Sequence, residues 1–171
     1  IRALPTTVGG LGPEEDRDGV GPAALERLAA ALELGRRMEA ELPPERLRMR
    51  GPEDVVQLFA PRIRHLAHEE FHVVSLNTRH RVLGTHMVSR GLVDASLVHP
   101  REVFAPALEL RASAIILAHN HPSGDPDPSP EDRRVTEQMA EAGEVLGIRV
   151  LDHVVVGDPG WRTVPLPPGR P

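Results

Sequence analysis

Cysteine does not occur in this chain of 171 residues, so neither a disulfide framework nor a thiolate metal site can be built from it. Any metal must be held by His, Asp or Glu. Lysine is missing as well: all twenty basic residues are arginine. That excludes a lysine nucleophile or Schiff base, and with abundant Ala, Pro and Gly it reflects GC-rich codon usage more than function. Tyrosine is absent and the aromatic residues are few, Phe59, Phe71, Phe104 and Trp161, which argues against a stacking platform for single-stranded nucleic acid. No run approaches the ~20 apolar residues that cross a bilayer, and Ile1–Gly10 lacks the basic-then-apolar build of a signal peptide. The expectation is a soluble, cytoplasmic protein with no membrane partner. A net charge of −5 argues against a broadly basic nucleic-acid surface.

The length suits one domain with an appendage, large enough to bury a real core. Residues 1–18 are rich in Pro, Gly and acids without periodicity and read as a flexible arm. Pro22 opens a helix in which Leu25, Leu28 and Leu32 recur at helical spacing through about Glu41, and Pro43-Pro44 ends it. A second helix starts at Pro52, with Glu53 and Asp54 in its positive first turn, and directs Val55, Val56, Phe59, Ile63 and Leu66 inward. The Arg-rich stretch between, Glu45–Arg50, has no clear pattern.

From Phe71 the period changes. Phe71–Leu76 and Val82–Ser89 read as strands joined by a turn around Asn77–Arg81, with a third short strand near Ser96–His99. Pro100 begins a helix running to about Leu110. The apolar run Ala114–Ala118 reads as a strand buried on both faces. Pro130–Leu146 is a helix with Val135, Met139, Ala142 and Leu146 on one face, followed by a strand at Ile148–Val156 and an edge strand at Trp161–Val164. Strands alternating with helices around a buried central strand predict a mixed α/β domain over residues 51–171, its elements filling about 52–165, after an arm and helix over 1–50. No internal repeat is visible.

The buried run leads straight into His119-Asn120-His121-Pro122-Ser123-Gly124, and Ser129 and Asp132 follow. Side chains at i and i+2 of an extended segment point the same way, so His119 and His121 can face one ion if the strand runs past Ala118. Gly124 and prolines 122, 126 and 128 turn the chain back, which lets the next helix present Asp132 as a third donor. Three protein donors leave a coordination position open, the mark of a catalytic zinc site, although iron, manganese or nickel accept the same donors. Plainer readings exist. Ser129-Pro130-Glu131-Asp132 is also a helix N-terminal signature, with Ser129 as N-cap. Histidines beside a turn are commonly polar loop residues. The contiguous His-Asn-His does not mark an HNH nuclease, whose three residues are scattered.

His-x-His-Pro…Ser-x-x-Asp, with ten residues between His121 and Asp132, resembles the JAMM motif of MPN-domain metallopeptidases. With Pro100-Arg101-Glu102-Val103-Phe104, the run Leu117 to Pro126, and Leu151-Asp152-His153, the chain resembles the bacterial RadC-like family over about residues 52–158. The resemblance implies an MPN fold (JAB/MPN, cytidine-deaminase-like) with a central mixed sheet flanked by helices. It implies that His119, His121 and Asp132 ligate one Zn2+, and that Ser129 hydrogen-bonds in the site and helps hold a developing oxyanion. The family's glutamate lies two residues before the Phe that opens the first strand, which selects Glu69 beside Phe71; Glu70 is then a solvent-side neighbour.

The chemistry is coherent. Zinc with three protein ligands brings its water's pKa to about 7, a carboxylate such as Glu69 moves the proton to the leaving amine, and Ser129 meets the oxyanion. The implied activity is that of a zinc-dependent metallopeptidase or isopeptidase, hydrolysing an amide bond of an unidentified peptide or protein by a metal-activated water. His153 and His99 read as structural or as partners of ligands, with Asp152 available to orient an imidazole. His65, His68, His72, His80 and His86 read as surface residues.

Gly19-Val20-Gly21-Pro22-Ala23 entering the first helix resembles the hairpin and second helix of a helix-hairpin-helix unit. There Gly19 and Gly21 would offer backbone N–H groups to a DNA phosphate, which supports an alternative: a DNA-repair accessory whose metal site is structural or vestigial. The chain departs from that pattern. Residues 1–18 carry Glu14, Glu15, Asp16 and Asp18 where a first helix belongs, and residues 19–50 hold six Arg against five Glu. A packing helix left from a truncated or diverged module is the preferred reading, and DNA is a disfavoured partner.

Overall fold

The computed structural model describes residues 21–40, 47–91 and 98–168. The chain divides into two units between Leu42 and Pro43. In the first, helix α1 (Pro22–Ala40) follows Gly21, whose carbonyl accepts from the N–H groups of Ala24 and Leu25 at 2.9 and 3.2 Å. Leu28 and Leu32 of its apolar stripe are exposed. No helix among the described residues is long and apolar enough to cross a membrane.

The second unit is a five-stranded mixed sheet between helical layers. Helix α2 (Pro52–Ile63) leads to the hairpin β1 (Glu70–Leu76) and β2 (Val82–Arg90); α3 (Pro100–Glu109) leads to β3 (Ala114–Asn120); α4 (Pro130–Leu146) crosses over to β4 (Arg149–Gly157), and β5 (Gly160–Thr163) closes the chain of strands. The order across the sheet is β2-β1-β3-β4-β5. β3 runs antiparallel to β1 and parallel to β4, so the fold is the mixed α/β type that the alternating elements predict. The hairpin turn is tied by Asn77, whose Oδ1 accepts from the N–H groups of Arg79 and Arg81. The Arg-rich segment before α2 docks on that turn: Met49 donates to the His80 carbonyl at 2.9 Å, and Val82 donates to Leu47 at 3.0 Å.

Alternation along the strands sorts the core into two halves. Val74, Leu76, Ile116, Ala118, Val154 and Val156 pack with Val55, Phe59 and Ile63 of α2. Val73, Ile115 and Leu117 pack on the other face with Val103 and Phe104 of α3 and with Val135 and Met139 of α4. Each of these side chains larger than alanine contributes roughly 1.5–3 kcal/mol by leaving water. β3 is paired on both edges and covered on both faces, and every residue of it is buried. That is why its sequence is a continuous apolar run rather than an alternating one.

Three expectations need correction. Val98 and His99 form no strand; Pro100 has no N–H to pair, and the His99 carbonyl instead accepts from Glu102 and Val103 to start α3. Residues 96 and 97 lie outside the described residues. Leu146 is 42% exposed, because the buried position at the end of α4 belongs to Gly143, whose backbone lies against Phe104 and Ile148. The helix α2 ends at Ile63, and Leu66 packs on the core from beyond it.

Candidate metal centre

The extended backbone continues past Ala118. His119 and Asn120 are paired in β3 with Val155 and Val156 of β4, and the N–H of His121 donates to the Val156 carbonyl at 3.0 Å. The two-residue period therefore places His119 and His121 on the face that α4 covers. The chain then turns at Gly124, whose φ of +82° suits glycine and whose N–H donates to the His121 carbonyl at 3.0 Å. It returns to Ser129, the N-cap of α4, and Asp132 projects from the third helical position.

These three side chains converge. His119 Nε2 is 3.1 Å from His121 Nε2 and 3.1 Å from Asp132 Oδ1, and His121 Nε2 is 3.4 Å from Asp132 Oδ2. His119 is fully buried, Asp132 is 6% exposed, and the His121 side chain is 16% exposed, so the site is reached from the His121 side. The Nδ1 atoms are engaged elsewhere: that of His121 donates to the Asp125 carbonyl at 2.7 Å, and that of His119 meets His153 Nε2 at 2.9 Å. Both rings thus turn Nε2 to the centre. One ligand atom from each residue lies within 4.8 Å of the others, so the group could hold a metal ion. Two nitrogens and a carboxylate suit zinc, iron, manganese or nickel.

Charge follows the same geometry. Burial disfavours ionised Asp132, but the His119, His121 and Ser129 side chains beside it outweigh that and hold the carboxyl far below the usual range. The hydrogen bond to Asp132 raises the pKa of His121 above its ordinary value against the effect of burial. Burial raises the carboxyl of Glu69, which feels His119 and His121 as lowering influences and Asp132 as a raising one. Glu69 sits just before β1, whose Phe71 pairs with His119, so the two-residue period sets Glu69 on the same side as the three donors. Ser129 Oγ donates to Asp132 Oδ2 at 2.7 Å and accepts from the Asp132 N–H at 3.1 Å.

Glu70 is not solvent-side. Its side chain is 13% exposed and lies among His72 Nε2 at 3.1 Å, His68 Nε2 at 3.2 Å and Arg90 Nε at 3.3 Å. It alternates to the face opposite Glu69, where His72 packs on Phe59 with ring centroids 4.9 Å apart. His68 and His72 are therefore engaged rather than surface residues, whereas His65, His86 and His99 are exposed and His80 is intermediate in the hairpin turn.

Sequence reasoning gave Asn120 no role. It is fully buried between the two histidines; its Oδ1 accepts from the Glu70 N–H at 2.8 Å and its Nδ2 donates to the His68 carbonyl at 3.0 Å, bracketing Glu69. The imidazole of His153 is oriented by Thr136 Oγ1, 2.7 Å from Nδ1, not by Asp152. The Asp152 carboxylate instead accepts the backbone N–H of His153 at 2.8 Å. Phe71 stacks on His119 with centroids 5.8 Å apart and meets His153 edge-on at 5.4 Å. Gly21 is exposed at the start of α1, and Gly19 lies outside the described residues.

A model of the RadC-like JAB domain matches residues 49–164. A UPF0758 protein of Caldanaerobacter subterraneus is 49% identical over 140 residues, covering 82% of this chain and 60% of that protein. One from Symbiobacterium thermophilum is 50% identical over 145 residues, covering 85% of this chain and 62% of its own length. A third, from Moorella thermoacetica, is 51% identical over 144 residues, or 84% and 62% respectively. The chain spans about three fifths of the length of these curated relatives. The matched span takes in the whole sheet and the convergent side chains with it, and the chain belongs to the RadC-like JAB-domain family.

Proposed function

We infer that this chain is a zinc-dependent metallohydrolase of the JAMM type that cleaves an amide bond in a peptide or protein. The observation that carries the reading is the convergence of His119, His121 and Asp132, delivered by a strand end and a helix start, with the Glu69 carboxyl close enough to feel all three. His119, His121 and Asp132 would hold a divalent ion, which would supply a Lewis acid and an acidified water when bound. Glu69 then accepts a proton from the attacking water and returns it to the leaving amine. The burial that raises its carboxyl moves it toward the basicity such a group needs.

Ser129 hydrogen-bonds to Asp132 rather than to an imidazole, so it is held as a donor and not activated as a nucleophile. Its hydroxyl stabilises the oxyanion when it turns from Asp132 to the substrate. The reaction runs without a covalent intermediate.

The test has two stages. Purified protein is expected to carry about one equivalent of zinc, as a three-ligand catalytic site does, and Asp132→Asn to carry far less. Zinc-loaded protein is then incubated with peptide and isopeptide libraries beside Glu69→Gln, which should retain zinc and lose hydrolysis. Equal zinc in Asp132→Asn would reject the metal assignment, and loss of activity in Glu70→Gln but not in Glu69→Gln would move the base by one residue.

A further inference from the structure

We propose that Thr136 and His153 form a proton-ordering relay that fixes the tautomer of His119 and so presents its Nε2 lone pair to the metal centre. The inference deepens the metallohydrolase reading and rests on it for what the lone pair is used for. The relay itself rests on hydrogen-bond direction.

The chain of assignments starts at a group that can only accept. The Asp132 backbone carbonyl lies 2.6 Å from Thr136 Oγ1, so the threonine hydroxyl spends its one proton there. Thr136 Oγ1 also lies 2.7 Å from His153 Nδ1. With its proton committed, the oxygen accepts, and Nδ1 of His153 carries the hydrogen. His153 is fully buried, its Nδ1 facing the Thr136 hydroxyl and its Nε2 facing His119, and among the described residues neither nitrogen meets a carboxylate that would hold a charged ring. A neutral ring protonated at Nδ1 has a lone pair at Nε2. That lone pair faces His119 Nδ1 at 2.9 Å, so His119 donates from Nδ1 and keeps Nε2 free toward His121 and Asp132. Each proton is placed by the one before it.

Packing keeps the rings from escaping. Phe71 lies nearly parallel to His119, at 11° between planes, and edge-on to His153 at 65°. Thr136 stands one turn after Asp132 on α4. The same helix therefore supplies one donor of the centre and, through Thr136 and His153, sets the proton of another. Partners of ligating imidazoles commonly fix ring orientation and tautomer, and their loss costs roughly 10–100-fold in metal affinity.

The isosteric Thr136→Val removes the acceptor for His153 Nδ1–H. The ring regains an acceptor-free choice of tautomer, and a switch to Nε2–H would force His119 to protonate on the atom that faces the centre. Thr136→Ser keeps the hydroxyl. The experiment is a long-range 1H–15N correlation of the histidine rings in 15N-labelled, zinc-free full chain, combined with zinc titration against a competing chelator. His153 is expected as the Nδ1–H tautomer in the wild type and in Thr136→Ser, and mixed or reversed in Thr136→Val. Zinc affinity should fall roughly 10–100-fold in Thr136→Val and match wild type in Thr136→Ser. An Nε2–H tautomer at His153 in the wild type overturns the relay, as does undiminished zinc affinity in Thr136→Val. A wild type that binds no zinc rejects the metallohydrolase reading, while its His153 tautomer still decides the relay. If Thr136→Val does not fold, the wild-type and Thr136→Ser spectra carry the decision.

Discussion

Ser129 and Asp132 hold each other at the head of α4. The Asp132 Oδ2 atom accepts from both the N–H and the Oγ of Ser129 at 2.7 Å, and the Asp132 N–H donates back to Ser129 Oγ at 3.1 Å. The other oxygen, Oδ1, points to His119 at 3.1 Å. The helix cap and the candidate metal donor are thus one structure: the reciprocal bonds that satisfy the first turn of the helix also aim the carboxylate.

Ser129→Ala removes both functions of the hydroxyl. The lost cap should cost about 1 kcal/mol of stability, measurable by urea unfolding, and the loosened Asp132 should weaken zinc binding. Ser129→Thr keeps an acceptor and a donor and should restore most of both. If Ser129→Ala matched the wild type in stability and zinc affinity, the coupling between cap and donor would be wrong.

Asp132→Asn keeps the shape of the side chain and removes its charge. Zinc in hundred-fold excess over its dissociation constant should stabilise the wild type by about 2.7 kcal/mol. The variant should show little of this shift in thermal unfolding with and without zinc. A full shift in the variant would mean that the ion sits elsewhere.

The pH dependence has a definite sign. Hydrogen bonding to Asp132 raises the pKa of His121 above 6.5, so its contribution to the zinc-free fold is fully present below 6.5 and is lost as pH rises through the raised value. Zinc needs the neutral ring and competes with that proton. The stabilisation added by zinc should therefore shrink as pH falls from about 8 to about 6. Burial lowers the pKa of His153, so its protonation weakens the zinc-free fold on acidification, and the zinc-induced increment is read against that baseline. An increment that stays constant over this range would contradict the assignment.

Much of this was legible because it is local. The apolar run Ala114–Ala118 reads as a buried strand, and the strand runs on far enough to set His119 and His121 on one face. Pro52, Pro100 and Pro130 each mark the first residue of a helix, since a missing N–H costs nothing there. What stayed hidden is what pairing across the sheet creates. Thr136 and His153 are 17 residues apart, and Asn120 reaches back 50 residues to Glu70; no spacing in the chain signals either contact. Glu70 was misplaced for the same reason. Its burial comes from His68, His72 and Arg90, and the last of these arrives from the neighbouring strand.

Gly157 provides a test of how the fold supports the centre from outside it. At the end of β4, a Cβ at this position would collide with the Gly124 carbonyl oxygen and lie 2.8 Å from Pro126 N and 2.9 Å from Pro126 Cδ. The obstructing atoms belong to backbone and to a proline ring, so no change of side-chain rotamer relieves the clash. The segment is tied down on both sides: the N–H of Asp158 donates to the Gly124 carbonyl at 2.8 Å, and the Asp125 carbonyl accepts from His121 Nδ1 at 2.7 Å. Gly157→Ala must push this loop off β4 and disturb the carbonyl that sets the His121 ring. The expected cost is about 1–3 kcal/mol in stability and roughly 10-fold in zinc affinity, although the residue touches no donor atom. Gly21→Ala, with nothing within 4 Å of the added methyl, serves as the control and should leave zinc binding unchanged. A Gly157→Ala protein that melts earlier yet binds zinc as tightly as the wild type would show that the loop buttresses the sheet and not His121.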